Sequence, residues 1–476
     1  MKPSKLLLFV LCARLAFGAL STTVVWEVRP TNGLDTNGGG FDPGVVSPGT
    51  DFSQQNSVQV SYTDLVVGAT TTQVTSAAHA FDSTYPGNLI HIASGTGCTT
   101  GWFEVVSVST ITATLDRSAG TAASVCTGSL GGALKTLIQL NTNMSLDQQG
   151  WAKAESTLVM GTIHWSISGG TGFASVQGYT TTRGDGGYFT TQMNANDYFW
   201  VPQNTGNNAT FRNFILDLNN VPSNDAALAI QGCCYVFYNI KVINAGSNQA
   251  FYFGAGSRSS CSFCYATGVG SALSVFSLAS GVVCYACVAY GNTTTGSVFA
   301  LSTDNGQPGT FCTYCIAANN TSSARAFQMD GGSDQSPVYL VNSVAVNNGG
   351  DGVSITNHHY PVFILNSIFV SNSGFGLNST TTMPNGANTI GNNAFFGNTS
   401  GARNNISARP GDVTLSGNPF TNSAGNDFSL NTGAGAALKA AGIPGVLAIG
   451  GTGYLDIGAL QHQSVAGGGI SGSPIQ

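Results

Sequence analysis

Charge is what this chain has least of. Only 8% of its 476 residues are Asp, Glu, Lys or Arg, and the 21 acidic and 15 basic side chains are spread thinly, for a net charge of -6. Gripping the phosphates of a nucleic acid takes a concentrated basic face, so its absence excludes nucleic acid from the expected partners. No stretch reaches 18 consecutive apolar residues, which leaves no spanning helix. Helical periodicity is almost missing as well. It is credible only between Gly132 and Asn141, with Leu134, Leu137, Ile138 and Leu140 as the apolar set.

What the chain does have is 63 Gly, many Ser, Thr and Asn, and 42% hydrophobic residues. This composition suits a tall apolar core whose turns are solvated by hydroxyls and amides. The core shows as a repeat. Phe211-Arg-Asn-Phe214, Phe237-Tyr-Asn-Ile240, Cys261-Ser-Phe-Cys264, Cys284-Tyr-Ala-Cys287, Cys312-Thr-Tyr-Cys315, Leu340-Val-Asn-Ser343, Ile364-Leu-Asn-Ser367 and Ile390-Gly-Asn-Asn393 begin 26, 24, 23, 28, 28, 24 and 26 positions apart. A second phrase follows each of the middle ones: Phe251-Tyr-Phe253, Phe276-Ser-Leu278, Phe299-Ala-Leu301, Phe327-Gln-Met329 and Val353-Ser-Ile355. Apolar residues that alternate in this way mark strands with one face buried.

Each repeat therefore holds two or three short strands and no helix, which excludes helical repeat arrays. It also falls short of the about 40 to 45 residues of a propeller blade. The architecture left is an all-β, single-stranded parallel β-helix with coils stacked about 4.8 Å apart. The expected hand is right.

Taken in order, the chain divides as follows. Residues 1–20 read as a secretory signal: Met1-Lys-Pro-Ser-Lys5 supplies the basic start, Leu6 to Ala13 the apolar run and Phe17-Gly-Ala19 the cleavage region, with Arg14 interrupting. Residues 21–131 lack the repeat and form a small β module with strands expected at Leu65–Val67, Leu89–Ala93, Trp102–Val108 and Ile111–Leu115; Cys98 and Cys126 flank its last strands and are expected to pair. A capping segment with a short helix (132–156) precedes the coil (157–417). The C-terminal end of the coil (418–463) and a Gly/Ser-rich tail (464–476) follow. The triplet Arg183-Gly184-Asp185 can be read as an integrin-type loop or as a polar turn, and the turn is preferred.

The closing phrases Asn418-Pro-Phe420, Asp427-Phe-Ser-Leu430, Ala436–Gly442 and Asp456-Ile-Gly-Ala459 resemble the C-terminal end of exported right-handed parallel β-helix proteins of the pectate-lyase-like superfamily. Gly33-Leu-Asp-Thr-Asn-Gly38 is similar to their entry phrase. The resemblance implies a bacterial or phage-associated protein, secreted, at the cell surface or on a virion. Its expected partner is an extracellular polysaccharide or cell-surface glycan, and likeness to phage-type β-helices implies a homotrimer. Such proteins include polysaccharide lyases, glycoside hydrolases, adhesins and tail proteins, so the resemblance bears on fold far more than on activity.

Two groups of side chains invite a chemical reading. The three Cys-x-x-Cys pairs have the spacing of zinc ligands. However, Cys261, Cys284 and Cys312 share a column with Phe211, Phe237, Leu340 and Ile364, so interior thiols are preferred and no metal is assigned; disulfides between coils are the remaining alternative. Asp304, Asp330, Asp334, His358 and His359 fall in equivalent loops of three successive coils, within about 10 Å along the stack. Gathered carboxylates with a histidine suit acid/base catalysis, or a hard cation such as Ca2+ held by oxygen ligands; Asp in turns is also common without function.

Arg325 and Asp351 are expected to meet across the stack, and Arg212, Asp217, Asp225 and Lys241 form a second, weaker group. The outward positions Tyr252, Ser277, Gln328 and Ser354 offer hydroxyls and an amide to a glycan. The expected function is binding or degradation of an extracellular polysaccharide. The alternative is a non-catalytic fibre, adhesin or phage tail appendage.

Overall fold

The computed structural model describes residues 20–167, 172–194, 200–202, 208–221, 226–230, 234–254, 257–270, 273–303, 308–330, 336–356, 361–383, 388–443 and 455–461. All but the last residue of the expected signal (1–20), Asp225 and the tail lie outside them. Two compact units are present, one comprising 32–134 with the strand before Val28, the other 28–31 with everything from Lys135 onward.

The first unit is an antiparallel barrel of six strands: Val60–Val67, Gln73–Thr75, Leu89–Ser94, Gly101–Ser109, Thr112–Leu115 and Val125–Leu130. All four strands expected from the sequence are among them. Their alternate residues Leu65, Val67, Val74, Ile90, Ile92, Phe103, Val105 and Leu130 fill the interior. Cys98 and Cys126 form the expected disulfide. The entry phrase runs against the barrel with Gly38 N donating to Gly131 O at 2.9 Å. A Cβ on Gly38 would stand 2.1 Å from Leu89 O, so only glycine fits there.

The second unit is the β-helix. It starts with a helix at Leu137–Asn143, capped by Thr136 Oγ1 accepting from Gln139 N at 3.1 Å. Leu137 and Leu140 are buried, Leu140 lies over Gly150 of the first coil, and Ile138 faces out. Above it the register follows the repeat read from the sequence. Phe211, Phe237, Cys261, Cys284, Cys312, Leu340, Ile364 and Ile390 stand in one buried column. A ten-stranded parallel sheet from Ile163–Trp165 to Gly401–Asn404 carries the second phrase. Inside it Phe251, Phe276, Phe299 and Phe327 stack face to face at 4.5, 4.6 and 5.1 Å.

Two corners bend every coil. At the first, one residue in the left-handed region joins two strands: Asn213, Asn239, Phe263, Ala286, Tyr314, Asn342, Asn366 and Asn392 occupy it in turn. At the second, the left-handed residues Gly291, Asn319, Asn347, Ser371 and Gly397 precede an inward asparagine. These asparagines form a ladder, Asn292 to Asn320, Asn348, Asn372 and Asn398, with amide-to-carbonyl bonds of 2.9, 2.8, 2.9 and 3.0 Å. Each amide also donates to a backbone carbonyl, as Asn348 Nδ2 does to Ala317 O at 3.0 Å. Such a ladder satisfies turn groups that burial would otherwise leave unpaired.

All six cysteines of the Cys-x-x-Cys pairs are buried, as the core reading expects. Pairing occurs within a coil rather than between coils: Cys261 bonds Cys264 and Cys312 bonds Cys315, while Cys284 and Cys287 are free thiols. The corner residue explains this, because the bend at Phe263 or Tyr314 brings the flanking Cα atoms to 6.0 Å. The Sγ atoms of Cys261, Cys264 and Cys287 lie within 4.8 Å of one another, as do those of Cys284, Cys312 and Cys315. Four of these six sulfurs are held in disulfides and are not thiolate ligands.

After Leu415 the chain leaves the stack and returns along its flank. Phe420–Asn422 and Asp427–Leu430 make a short antiparallel pair, followed by a 3-10 turn at Ala434–Leu438. Phe420, Phe428, Leu438 and Ile457 pack on Val288, Ile316, Val344 and Ile368 of the coil. Polar ties reinforce the contact, with Asn319 Nδ2 donating to Ser423 O (3.0 Å) and Gly458 N to Asn366 O (2.8 Å). No helix among the described residues is long and apolar enough to cross a membrane.

Candidate functional site

Of the five residues picked out for acid/base or cation chemistry, Asp330 is described; Asp304, Asp334, His358 and His359 lie outside the described residues. Asp330 ends the strand Arg325–Asp330, half-buried, with Ser302 and Thr356 beside it in register on the neighbouring coils. Thr303 Oγ1 and Thr356 Oγ1, at the same edge, are shielded from solvent with no hydrogen-bond partner among the described residues. Asp330, beside the unsatisfied hydroxyl of Thr356 on the next coil, has the acceptor and donor capacity to take a polar ligand or a hard cation.

The outward column of this sheet runs beside that edge, two residues away along each strand. Tyr252, Ser277, Ala300, Gln328, Ser354, Asn378 and Asn404 follow one another in register, with Tyr252 40% exposed at one end; Ser354, expected to offer its hydroxyl to a glycan, is instead buried. Several of these groups are already hydrogen-bonded: Ser297 Oγ donates to Gln328 Oε1, Asn404 Nδ2 to Asn378 Oδ1 (3.0 Å) and Asn378 Nδ2 to Asp351 Oδ2 (2.8 Å). Arg325 and Asp351 share an offset but make no ion pair. The Asp351 carboxylate turns to the next coil, where Phe375 N also donates to it at 2.7 Å.

The second group gathers differently from its sequence reading. Arg212 lies over the Tyr238 ring (5.3 Å) and Lys241 over the Tyr188 ring (4.2 Å). Burial holds the Lys241 ammonium below its ordinary pKa. Asp217 instead accepts from Gln192 Nε2 (3.0 Å), Asn219 N (2.9 Å) and Asn244 Nδ2 (3.0 Å).

From Tyr238 an aromatic series continues up the first corner to Phe263, Tyr285 and Tyr314, with centroids 5.2, 5.6 and 5.5 Å apart and planes crossed at 63°, 76° and 69°. Sequence reasoning missed this ridge because its members alternate between strand and corner positions. The signal was present in the third residue of each phrase, where Asn gives way to Phe263 and Tyr314. Asn adopts the left-handed conformation readily, whereas a bulky residue there costs roughly 1–2 kcal/mol.

Two other clusters resolve into structure. In the barrel, Glu104 is pushed up to about 7, first by burial and then by the Asp42 and Asp116 charges. Asp42 is tied by Thr23 Oγ1 (2.5 Å) and Gly44 N (2.7 Å), and Asp116 pairs with Arg117. Asp185 of the Arg-Gly-Asp triplet accepts from Thr180 Oγ1 (2.8 Å), Thr181 N (2.6 Å) and Gly187 N (2.8 Å), which holds its carboxyl well below the usual range and closes its own loop, as the turn reading expects.

No family model matches the chain, and no curated protein does. Among solved structures it is similar to the pectate lyase Pel9A (13% identical, TM-score 0.43, covering 70% of this chain and 92% of that one). It is also similar to the catalytic domain of a GH87 alpha-1,3-glucanase in complex with nigerose (13%, TM-score 0.36, 75% and 90%) and to the tailspike protein gp49 of Pseudomonas phage LKA1 (10%, TM-score 0.17, 75% and 67%).

Proposed function

We propose that the chain is an exported protein that binds an extracellular polysaccharide along the outward face of its ten-stranded sheet and cleaves it at the Asp330 edge. The observation that carries this reading is the column Tyr252, Ser277, Ala300, Gln328 and Ser354 beside an edge where Asp330 stands next to the unsatisfied hydroxyl of Thr356. Disulfides at Cys98–Cys126, Cys261–Cys264 and Cys312–Cys315 support an oxidising compartment, and with it export. In this reading Asp330, with Asp304 and Asp334, acts as acid/base or holds a cation such as Ca2+, and His358 or His359 carries the proton. A second reading, a non-catalytic adhesive fibre or virion appendage, is favoured by the hydrogen bonds that occupy Gln328, Asn378 and Asn404.

The test offers the purified chain a panel of acidic and neutral polysaccharides, following unsaturated-product absorbance and new reducing ends. Asp330→Asn is expected to abolish turnover and leave glycan binding in place. Binding without any product ends the catalytic reading in favour of the fibre, and full turnover by the variant removes Asp330 from the site.

A further inference from the structure

At the first corner of the coil two aromatic residues stand where neighbouring coils use asparagine, and one of them, Tyr314, packs partly buried against the C-terminal cluster. In the surrounding coils Asn213, Asn239, Asn342, Asn366 and Asn392 fill the left-handed position, which asparagine tolerates well. In two coils between them the position is held by Phe263 and Tyr314, at φ of 56° and 58°. An aromatic residue in that conformation is disfavoured, and strain of this kind marks places where the side chain itself is wanted. Here it aligns Tyr238, Phe263, Tyr285 and Tyr314 into one ridge, about three coil rises or 14 Å long.

At the lower end of the ridge stand two cations. Arg212 and Lys241 lie on aromatic rings and form no ion pair with the described residues, while the nearby Asp217 carboxylate accepts from three amide groups. Crossed rings present faces and edges that suit the C–H faces of sugars, and two unpaired cations beside them suit carboxylates. We propose that this corner is a binding surface for an acidic polysaccharide, a chain of uronate residues. The rings serve as stacking platforms, and Arg212 and Lys241 recognise the carboxylates. The proposal rests on the polysaccharide reading above but concerns a different face, since the ridge lies on the wrapped sheet and Asp330 on the ten-stranded one. Single-stranded nucleic acid also uses aromatics and cations, but it takes a broadly positive groove, and this chain has a net charge of -6.

The test measures binding of the full chain to polygalacturonate, to neutral dextran and to oligo(dT), by affinity electrophoresis and calorimetry. Phe263→Asn with Tyr314→Asn installs the residue that neighbouring coils already use, so the melting temperature should hold or rise while polygalacturonate affinity falls at least about tenfold, one to two stacking contacts' worth. Arg212→Gln with Lys241→Gln should erase the preference for polygalacturonate over dextran. Unchanged affinity in the folded Asn variant overturns the ridge, as does oligo(dT) binding equal to polygalacturonate binding, or no polygalacturonate binding by the parent chain. Asp330→Asn separates the two sites: it should leave ridge affinity intact. Full turnover by Asp330→Asn with affinity lost in the ridge variants overturns the cleavage reading alone, whereas lost turnover by Asp330→Asn with unchanged affinity in the ridge variants overturns the ridge alone.

Discussion

One column of outward side chains climbs the wrapped sheet from Thr190 to Ala394, and its two halves meet opposite surroundings. Thr190, Ile215, Lys241 and Tyr265 are half-open to solvent. Directly above them in the same register, Val288, Ile316, Val344, Ile368 and Ala394 are buried. The difference is the returning C-terminal segment, whose Phe420, Phe428, Leu438 and Ile457 lie on the upper half. A strand of a β-helix normally buries one face; Ile316–Ala318, Val344–Val346 and Ile368–Val370 bury both. The coil thus supplies a uniform scaffold, and what lies against its outside decides the side chains. Where the chain covers itself the column is aliphatic, and where it does not Thr190, Lys241 and Tyr265 appear beside one aliphatic residue, Ile215.

Placing the same charge in both halves breaks that comparison most sharply. Val344→Lys buries an unpaired ammonium beneath Gly458 and Ile457 and should cost roughly 3–5 kcal/mol. Tyr265→Lys, in the same column three coils lower in the open half, should stay within about 1 kcal/mol. Denaturant midpoints measure both, and equal losses would mean the cover does not shape the column. The next effect is smaller. Leu438→Ala removes a fully buried side chain of the returning segment, for about 2–5 kcal/mol of its contact with the coil. Limited proteolysis between Leu415 and Ile443 should quicken and dye binding to the bared aliphatic face should rise, while the far-ultraviolet dichroism of the coil holds. Unaltered proteolysis would show that the polar ties at Asn319 and Asn366 hold the segment alone.

The coil was legible in the sequence because stacking forces one residue type to recur at one offset. Phe211 to Ile390 could be aligned by eye, and they stand as aligned. The barrel was less so: its strands carry the alternation, but closure depends on pairings such as Val60 with Leu130, far apart in sequence and without a repeat to reveal them. The asparagine ladder escaped notice because Asn in a turn looks like ordinary turn chemistry until its column is traced. Likewise Ile368-Phe-Val370 reads as apolar on both faces, which says that something covers it but not what. For the candidate site, sequence order put Asp330 in the loop after the second strand, and it stands as that strand's last residue, while the ridge from Tyr238 to Tyr314 depends on alternation between strand and corner that no single offset captures.

The smallest effect tests the open half alone. Lys241 sits over Tyr188 with its ammonium partly withdrawn from water, so its pKa in the folded chain lies below its ordinary value. Between those two values the folded state binds fewer protons than the unfolded one, and stability therefore rises with pH through that alkaline window. Lys241→Met keeps the stem on the ring and removes the charge. Near neutral pH the lost cation–π attraction and the relieved desolvation oppose each other, so the net change should stay within about 0.5 kcal/mol. The informative quantity is the difference between variant and parent as pH rises, in which the other titrating groups cancel. The parent should gain on the variant through the lysine range. A difference that stays flat with pH would mean that the ammonium is as well solvated as any surface lysine, and that the open half of the column is open in full.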